Sequence, residues 1–175
     1  LFKCHTFYIF KPNKNNEMKI LKKIAVLALI VLIILQFFGP ERNEGDVADL
    51  KPFMEETNMP SSVAATLKVA CFDCHSSNTR YPWYSNIEPI SYWMAEHVEH
   101  GKEELNFSEW STYSAKRKDH KLEEVIEEIE EGHMPIPSYL WTHGDAKLSE
   151  AQIKEIDAWV KEARGFLAVE IERGQ

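Results

Sequence analysis

The chain has 175 residues, of which 44% are hydrophobic and 27% charged, a length that suits one domain with a moderate core. Residues 1–38 carry six Lys and Arg against one Glu, whereas residues 39–175 carry fourteen against twenty-seven Asp and Glu. Nucleic-acid binding requires a basic surface, so the acidic main part argues against a nucleic-acid partner. It permits a basic protein partner, although a merely solvated surface has the same composition.

The N-terminal region begins with an irregular stretch and then shows a pattern typical of protein export. Met18 precedes Lys19, Lys22 and Lys23, and residues 24–38 are apolar apart from Gln36. We therefore expect translation to start at Met18, which makes residues 1–17 an upstream extension outside the fold.

The apolar run predicts an uncleaved signal anchor over residues 18–38. Counted from Ile20, it gives about 28 Å of helix, close to the roughly 30 Å of a hydrocarbon core. Bulky Phe37 and Phe38 stand where a signal peptidase needs small residues. Lysines before the run and acidic residues after it orient the N-terminus towards the cytoplasm. We therefore expect a single-pass protein of the bacterial inner membrane with a periplasmic or extracytoplasmic domain.

The rest of the chain predicts a linker over residues 39–60, with one helical turn near Phe53, and an all-α domain of about four helices over residues 61–175. Each predicted helix has a boundary signal. Pro60-Ser61-Ser62 starts the first helix, and Pro89 starts the second, with Gly101 as its C-cap. Ser114 and Gly132 bound the third helix, and Ser149 with Gln152 forms a capping box for the last. We find no segment with strand periodicity.

The first predicted helix carries Cys71 and Cys74 in its last turn, within the pentapeptide Cys71-Phe72-Asp73-Cys74-His75. This C-x-x-C-H spacing is the attachment signature of a c-type haem. Two thiols three positions apart can add to the two vinyl groups of one haem, and the histidine that follows can offer an imidazole nitrogen to the iron. Cys4 lies in the predicted extension, so both thiols of the domain are reserved for haem and no disulfide is expected.

An aromatic segment follows the motif, and proline keeps it out of a helix. Tyr81 and Trp83, with Tyr84, are candidates to cover the haem edge, and Arg80 is a candidate partner for a haem propionate. The alternative is that these are ordinary core aromatics beside a solvent-facing arginine.

Met134 is the candidate for the sixth iron ligand. It lies between the third and last predicted helices, and Pro135 and Pro137 hold the backbone around it extended. A thioether opposite an imidazole raises the reduction potential of haem iron. The alternatives are that Met134 fills the core, that a histidine takes the position, or that the iron has no sixth ligand. The competing histidines are His97, His100, His120, His133 and His143.

Several blocks of the sequence together resemble the bacterial haem-binding domain family of short, membrane-anchored or exported monohaem proteins, and more broadly a small class I c-type cytochrome. The resemblance covers roughly residues 50–170 and is carried by the blocks Cys71 to Asn86, Asn106 to Trp110, Met134-Pro135 with Tyr139, and His143 to Ser149. It implies a cytochrome c-like domain with one covalent haem c, thioether bonds at Cys71 and Cys74, and His75 as proximal ligand.

The predicted function is that of an electron carrier rather than an enzyme, exchanging single electrons with a protein partner. The rival hypothesis is a haem-based sensor or peroxidase-like protein with an open distal side, and a third is a structural module without haem. A thioredoxin-like use of the thiols lacks the strand that should lead into the motif. A zinc site lacks a fourth ligand at finger-like spacing.

Overall fold

The computed structural model describes residues 14–174, and within them the chain forms eight α-helices. The helices are α1 Lys14–Leu35, α2 Lys51–Glu56, α3 Ser61–Ala70, α4 Phe72–His75, α5 Ile90–Glu104, α6 Ala115–Glu130, α7 Pro137–Leu140 and α8 Glu150–Glu172. Short 3-10 helices span Val47–Leu50, Trp83–Asn86, Phe107–Thr112 and Gly144–Ala146. The only β-pairing among the described residues is an isolated bridge between Glu44 and Asn78. The all-α prediction is confirmed.

The predicted membrane anchor is wrong, because no helix of residues 14–174 is both long and apolar enough to cross a membrane. Helix α1 ends at Leu35, and its first ten residues include Glu17, Lys19, Lys22 and Lys23. The uninterrupted apolar part, residues 24–35, amounts to about 18 Å of helix against the roughly 30 Å of a hydrocarbon core. The roughly 28 Å predicted from the sequence includes positions beyond Leu35, where the helix has ended, and lysine positions before residue 24.

The N-terminal start proposed at Met18 falls inside α1, which begins at Lys14. Most of the predicted extension, including Cys4, lies outside the described residues. After α1 the side chain of Gln36 pairs with the backbone of Glu88, donating to its oxygen at 3.3 Å and accepting from its nitrogen at 3.1 Å. The end of α1 is therefore tied to the segment that leads into α5.

The four long helices predicted for the domain are present as α3, α5, α6 and α8. Ser114 caps α6 by accepting a hydrogen bond from the backbone of Arg117, and Gly132 follows that helix with φ of +75°. The Ser149 and Gln152 side chains form the predicted capping box of α8. Short helices α4 and α7, which sequence periodicity did not reveal, carry residues of the functional site.

The core is built around Phe53, which is fully buried although it lies in the segment predicted to be a linker. Its ring stacks on Phe107 at 4.3 Å between centroids and meets Trp110 and Trp159 edge-on at 4.8 and 5.8 Å. The Trp159 indole donates to the Thr57 carbonyl at 3.0 Å. Residues 47–59 thus contribute core packing and do more than span a distance.

Candidate functional site

A cavity of about 770 Å³ lies between α4, α5, α6 and the segment before and within α7. This volume falls in the range of small-molecule and cofactor pockets. The residues in its wall that could bind a cofactor or metal are Cys71, Cys74, His75, His97, His100, Met134 and Tyr139. Apolar side chains such as Phe107, Val125, Ile129 and Ile136 also line it, together with the charged side chains of Asp73, Glu96, Glu104, Lys121, Glu124, Glu127 and Glu128. The cavity therefore brings the C-x-x-C-H motif and Met134 to one site.

The motif folds as a single turn that sets its three functional side chains around the same space. Helix α3 stops at Ala70, because Cys71 takes φ of −128° and ψ of −42°. The backbone nitrogens of Cys74 and His75 then donate to the Cys71 oxygen at 3.1 and 3.0 Å. The sequence placed both cysteines in the last turn of the first helix, but α4 is a separate turn that holds Cys74 and His75.

Both thiols are free and partly buried. Burial raises the pKa of Cys71 to about 12, with the neighbouring Cys74 adding to the shift, and raises the pKa of Cys74 to about 11, with Asp73 adding to it. Reactive redox thiols and zinc-binding thiolates need a lowered pKa. The protonated pair, with no strand leading into it in residues 14–174, does not match a thioredoxin-like site.

His75 is held in a single orientation by the backbone. Its Nδ1 donates to the Leu105 carbonyl at 3.0 Å, and burial lowers the pKa of the ring, which outweighs the hydrogen bonds to the backbone of Leu105 and Gly101. The imidazole is therefore neutral at physiological pH. With Nδ1 occupied as donor, Nε2 is the nitrogen left to bind a metal.

Gly101 permits the close approach of α5 to this turn. A Cβ at this position would lie 2.8 Å from the Cys74 carbonyl oxygen and 3.1 Å from the Cys74 Cβ. Sequence reasoning assigned Gly101 as the end of the second helix, which is wrong, since α5 continues to Glu104. The glycine is required for packing, because only a residue without Cβ allows the two backbones to meet.

Met134 lines the cavity from the segment between α6 and α7. It is partly buried and non-helical, and it packs against the hydrophobic core. Its backbone nitrogen and that of His133 both donate to the Glu128 carbonyl near the end of α6, at 3.0 and 2.9 Å. The thioether thus belongs to the same cavity as His75, which is the arrangement expected of a second iron ligand.

The competing histidines divide into two groups. His97 and His100 on α5 line the cavity, and His97 Nδ1 lies 2.7 Å from the Trp93 carbonyl. The other described histidines outside the motif, His120, His133 and His143, are not in the cavity wall. His133 is exposed and lies against Glu128 and Glu131. Of the competing histidines, His97 and His100 therefore share the cavity with Met134.

The predicted haem-edge residues lie outside the cavity wall. Trp83 is 77% exposed, and the Tyr81 hydroxyl accepts from the Asn43 backbone at 2.6 Å. Arg80 pairs with Asp73 at 2.9 Å, so its charge is already matched within the protein. This pairing, more than any other contact, raises the pKa of the Arg80 guanidinium.

Sequence reasoning missed three residues of the site: Leu105, Asp73 and Tyr139. The role of Leu105 rests on its backbone carbonyl, which leaves no signal in the sequence. Asp73 occupies one of the two positions of the C-x-x-C-H motif that can be any residue, so the motif gave it no role. In the structure it is 6% exposed, and Arg80 and Tyr139 donate hydrogen bonds to it. Tyr139 was noted only as part of a resemblance.

The donor set fits a c-type haem. Two adjacent thiols and a neutral imidazole with its Nε2 available face a cavity of cofactor size. A model of a family described as "Haem-binding domain" matches residues 30–162, about three quarters of the chain. No curated protein matches the chain. No solved structure matches it either.

Proposed function

Because this chain belongs to the haem-binding domain family, we propose that it is a monohaem c-type cytochrome that transfers single electrons. One haem c would be held by thioether bonds from Cys71 and Cys74 and by the His75 imidazole. In each attachment the S–H bond adds across a vinyl double bond, forming one C–S and one C–H bond, so the step consumes no oxidant. The bound iron supplies a one-electron couple.

The observation that carries the proposal is the joint presence of both thiols and the free Nε2 of His75 in one cavity wall. The chain contributes orientation, since Leu105 fixes the ring of His75. Apolar side chains such as Phe107, Val125 and Ile129 line part of the space, beside charged side chains of α5 and α6. A fixed ligand geometry keeps reorganisation small when one electron is gained or lost.

Met134 is proposed as the sixth ligand because it reaches the same cavity from the opposing segment. A soft thioether favours ferrous iron and raises the reduction potential. With His75 and Met134 both bound to the iron, a small molecule would find no open coordination site, and the protein would act as an electron carrier rather than as an enzyme.

The proposed partner is a redox protein with a basic surface, because residues 39–175 carry an excess of thirteen negative charges, from fourteen Lys and Arg against twenty-seven Asp and Glu. The proposed location is periplasmic or extracytoplasmic, since haem c is attached on that side of the membrane.

The decisive experiment is covalent haem staining of the denatured full chain, made with a haem-maturation system. We expect one haem per chain by mass and stain, and loss of the stain in a Cys71→Ala, Cys74→Ala double variant. His133→Ala is a matched control for His75→Ala: it should retain the native spectrum, whereas His75→Ala should lose it. An unstained wild-type protein would contradict the proposal.

Optical spectra test the sixth ligand. A sulfur-to-iron charge-transfer band in the ferric protein that disappears in Met134→Ala supports the carrier. The alternative function, a sensor or peroxidase-like protein, is favoured by one observation: His97 and His100 line the cavity and could act on a molecule bound at an open iron. That alternative predicts a high-spin ferric spectrum and rapid binding of carbon monoxide by the ferrous protein.

A further inference from the structure

The segment that carries Met134 is connected to the haem-attachment turn by one side chain. The Tyr139 hydroxyl on α7 donates to Oδ2 of Asp73 at 2.7 Å. The same hydroxyl lies 3.1 Å from the Val69 carbonyl and accepts from Arg80 Nη2 at 3.2 Å. Asp73 lies between the two motif cysteines, and its side chain is 8% exposed. This contact joins the two walls of the cavity across 66 residues of sequence.

Asp73 is a fixed acceptor. Arg80 donates to its carboxylate from Nε, at 3.1 Å to each oxygen, and from Nη2 at 2.9 Å. The Arg80 backbone nitrogen also donates to Oδ1 at 3.1 Å. A carboxylate held by this many donors cannot follow Tyr139 if α7 moves, so the hydrogen bond resists displacement of α7.

The segment between α6 and α7 makes few other hydrogen bonds to the body of the protein, and Met134 itself packs against the hydrophobic core. At its start the backbone nitrogens of His133 and Met134 bond to Glu128, and no residue of α7 is fully buried. Past α7, the Tyr139 ring stacks on His143 at 4.0 Å, and the neighbouring Trp141 is 78% exposed. Beyond α7 the Tyr84 hydroxyl lies 3.0 Å from Thr142 Oγ1 and 3.1 Å from His143 Nε2. Within α7 itself, Tyr139 is the residue whose side chain hydrogen-bonds to the attachment turn.

We propose that Tyr139 is a positioning residue: its hydrogen bond to Asp73 holds residues 134–139 across the cavity and so keeps Met134 at the iron. This inference rests on the proposed function, since it assigns a role to the same site. Tyr139 contacts Asp73 and is itself part of the cavity wall. The role proposed for it is exerted through the segment that carries Met134.

The test compares Tyr139→Phe with the wild-type full chain. Phenylalanine keeps the ring and its stacking on His143 but removes the hydroxyl. Native-state hydrogen exchange should show about tenfold lower protection of the amides of residues 139–143, equivalent to about 1.4 kcal/mol. In the ferric haem-loaded protein, imidazole, which competes with Met134 for iron, should bind about tenfold more tightly.

Tyr81→Phe is the matched control. Its hydroxyl accepts one hydrogen bond from Asn43 outside the cavity, so its removal should change neither the exchange of residues 139–143 nor imidazole binding. Unchanged protection in Tyr139→Phe would overturn the inference. Reduced protection with unchanged imidazole affinity would overturn its link to Met134.

The two proposals fail in different ways. A wild-type ferric spectrum without the sulfur band would remove Met134 as ligand, and hydrogen exchange would still decide whether Tyr139 holds the segment. If the wild type shows a normal sulfur band, and Tyr139→Phe matches it in hydrogen exchange and imidazole binding, the cytochrome function stands and the role of Tyr139 is removed.

Discussion

The two walls of the cavity are held by different kinds of contact. The wall with Cys71, Cys74 and His75 is fixed by backbone hydrogen bonds within α4, by the Leu105 carbonyl and by close packing of Gly101 on Cys74. The wall with Met134 is held by two backbone bonds to Glu128, by the hydroxyl of Tyr139 and by packing of the partly buried Met134 against the core. The first wall is part of the core, and the second is a surface segment attached to it.

This difference has a physical consequence for haem chemistry. Regions with many buried apolar contacts open only with the whole protein, whereas segments with few such contacts open locally at lower cost. The attachment wall should therefore be preorganised before haem is bound. We expect the Met134 wall to open locally without unfolding of the domain, so that Met134, as the proposed second iron ligand, is the one that competing molecules displace.

The largest expected effect is on the core beneath the attachment wall. Phe53→Ala removes a fully buried ring that stacks on Phe107, which in turn meets the ring of His75 edge-on at 6.2 Å between centroids. We expect a loss of about 3–5 kcal/mol in the free energy of unfolding, measured by chemical denaturation. Phe166→Ala, at a 54% exposed position of α8, should cost less than about 1 kcal/mol. Equal costs at the two positions would contradict the role of residues 47–59 in the core.

Gly101→Ala breaks the same wall by overpacking. The new Cβ would meet the Cys74 backbone oxygen at 2.8 Å, and neither α5 nor α4 can yield by moving a flexible side chain. We expect a loss of about 1–3 kcal/mol in the free energy of unfolding and reduced incorporation of haem. The measurement is chemical denaturation together with the haem content of purified protein.

Gly165→Ala in α8 is the matched control, because no atom outside its immediate neighbours lies within 4 Å of the added Cβ. It should be neutral or stabilise the protein by up to about 1 kcal/mol, since alanine favours a helix. A Gly101→Ala protein as stable as Gly165→Ala would mean that α5 can move away from the attachment turn at no cost.

The sequence predicted one wall better than the other, and the reasons are local. Cys71, Cys74 and His75 are contiguous, so a motif defines them, and α6 and α8 have caps and apolar stripes that can be read directly. Met134 could be proposed because two prolines follow it closely in the sequence. The contacts that hold both walls join residues far apart in sequence, such as Asp73 with Tyr139 and His75 with Leu105, and no local pattern reports them.

The errors have the same origin. Gly101 satisfied the pattern of a helix end, yet its function is set by a neighbour 27 residues earlier, Cys74. Phe53 lies in a polar segment with weak periodicity, and only the fold shows the aromatic cluster that receives it. The anchor at residues 18–38 was an error of length, because the helix ends before the apolar run does.

Hydrogen exchange in the wild-type protein tests the comparison of the two walls directly. The amides of Cys74 and His75, which bond to the Cys71 oxygen, should exchange only when the whole domain unfolds. The amide of His143, which bonds to the Tyr139 oxygen, should exchange through local opening with a free energy lower by about 2 kcal/mol or more. Equal opening free energies in the two regions would show that both walls belong to one cooperative unit.

The smallest expected effect is a pH dependence confined to the Met134 wall. Burial raises the pKa of Tyr139 above its usual value of 10.0, and the negative charge of Asp73 adds to the shift. The folded protein therefore keeps this proton at a pH where the unfolded chain releases it, so the stability that Tyr139 provides is complete below about pH 9 and falls as pH rises further.

Tyr139→Phe has no such proton. Its free energy of unfolding should lie about 1 kcal/mol below that of the wild type, and this deficit should narrow between about pH 9 and 11. Paired denaturation curves of the two proteins across this range measure the deficit, and titration of other groups cancels in the difference. A deficit that stays constant with pH would mean that the Tyr139 hydroxyl is not held against Asp73 in the folded protein.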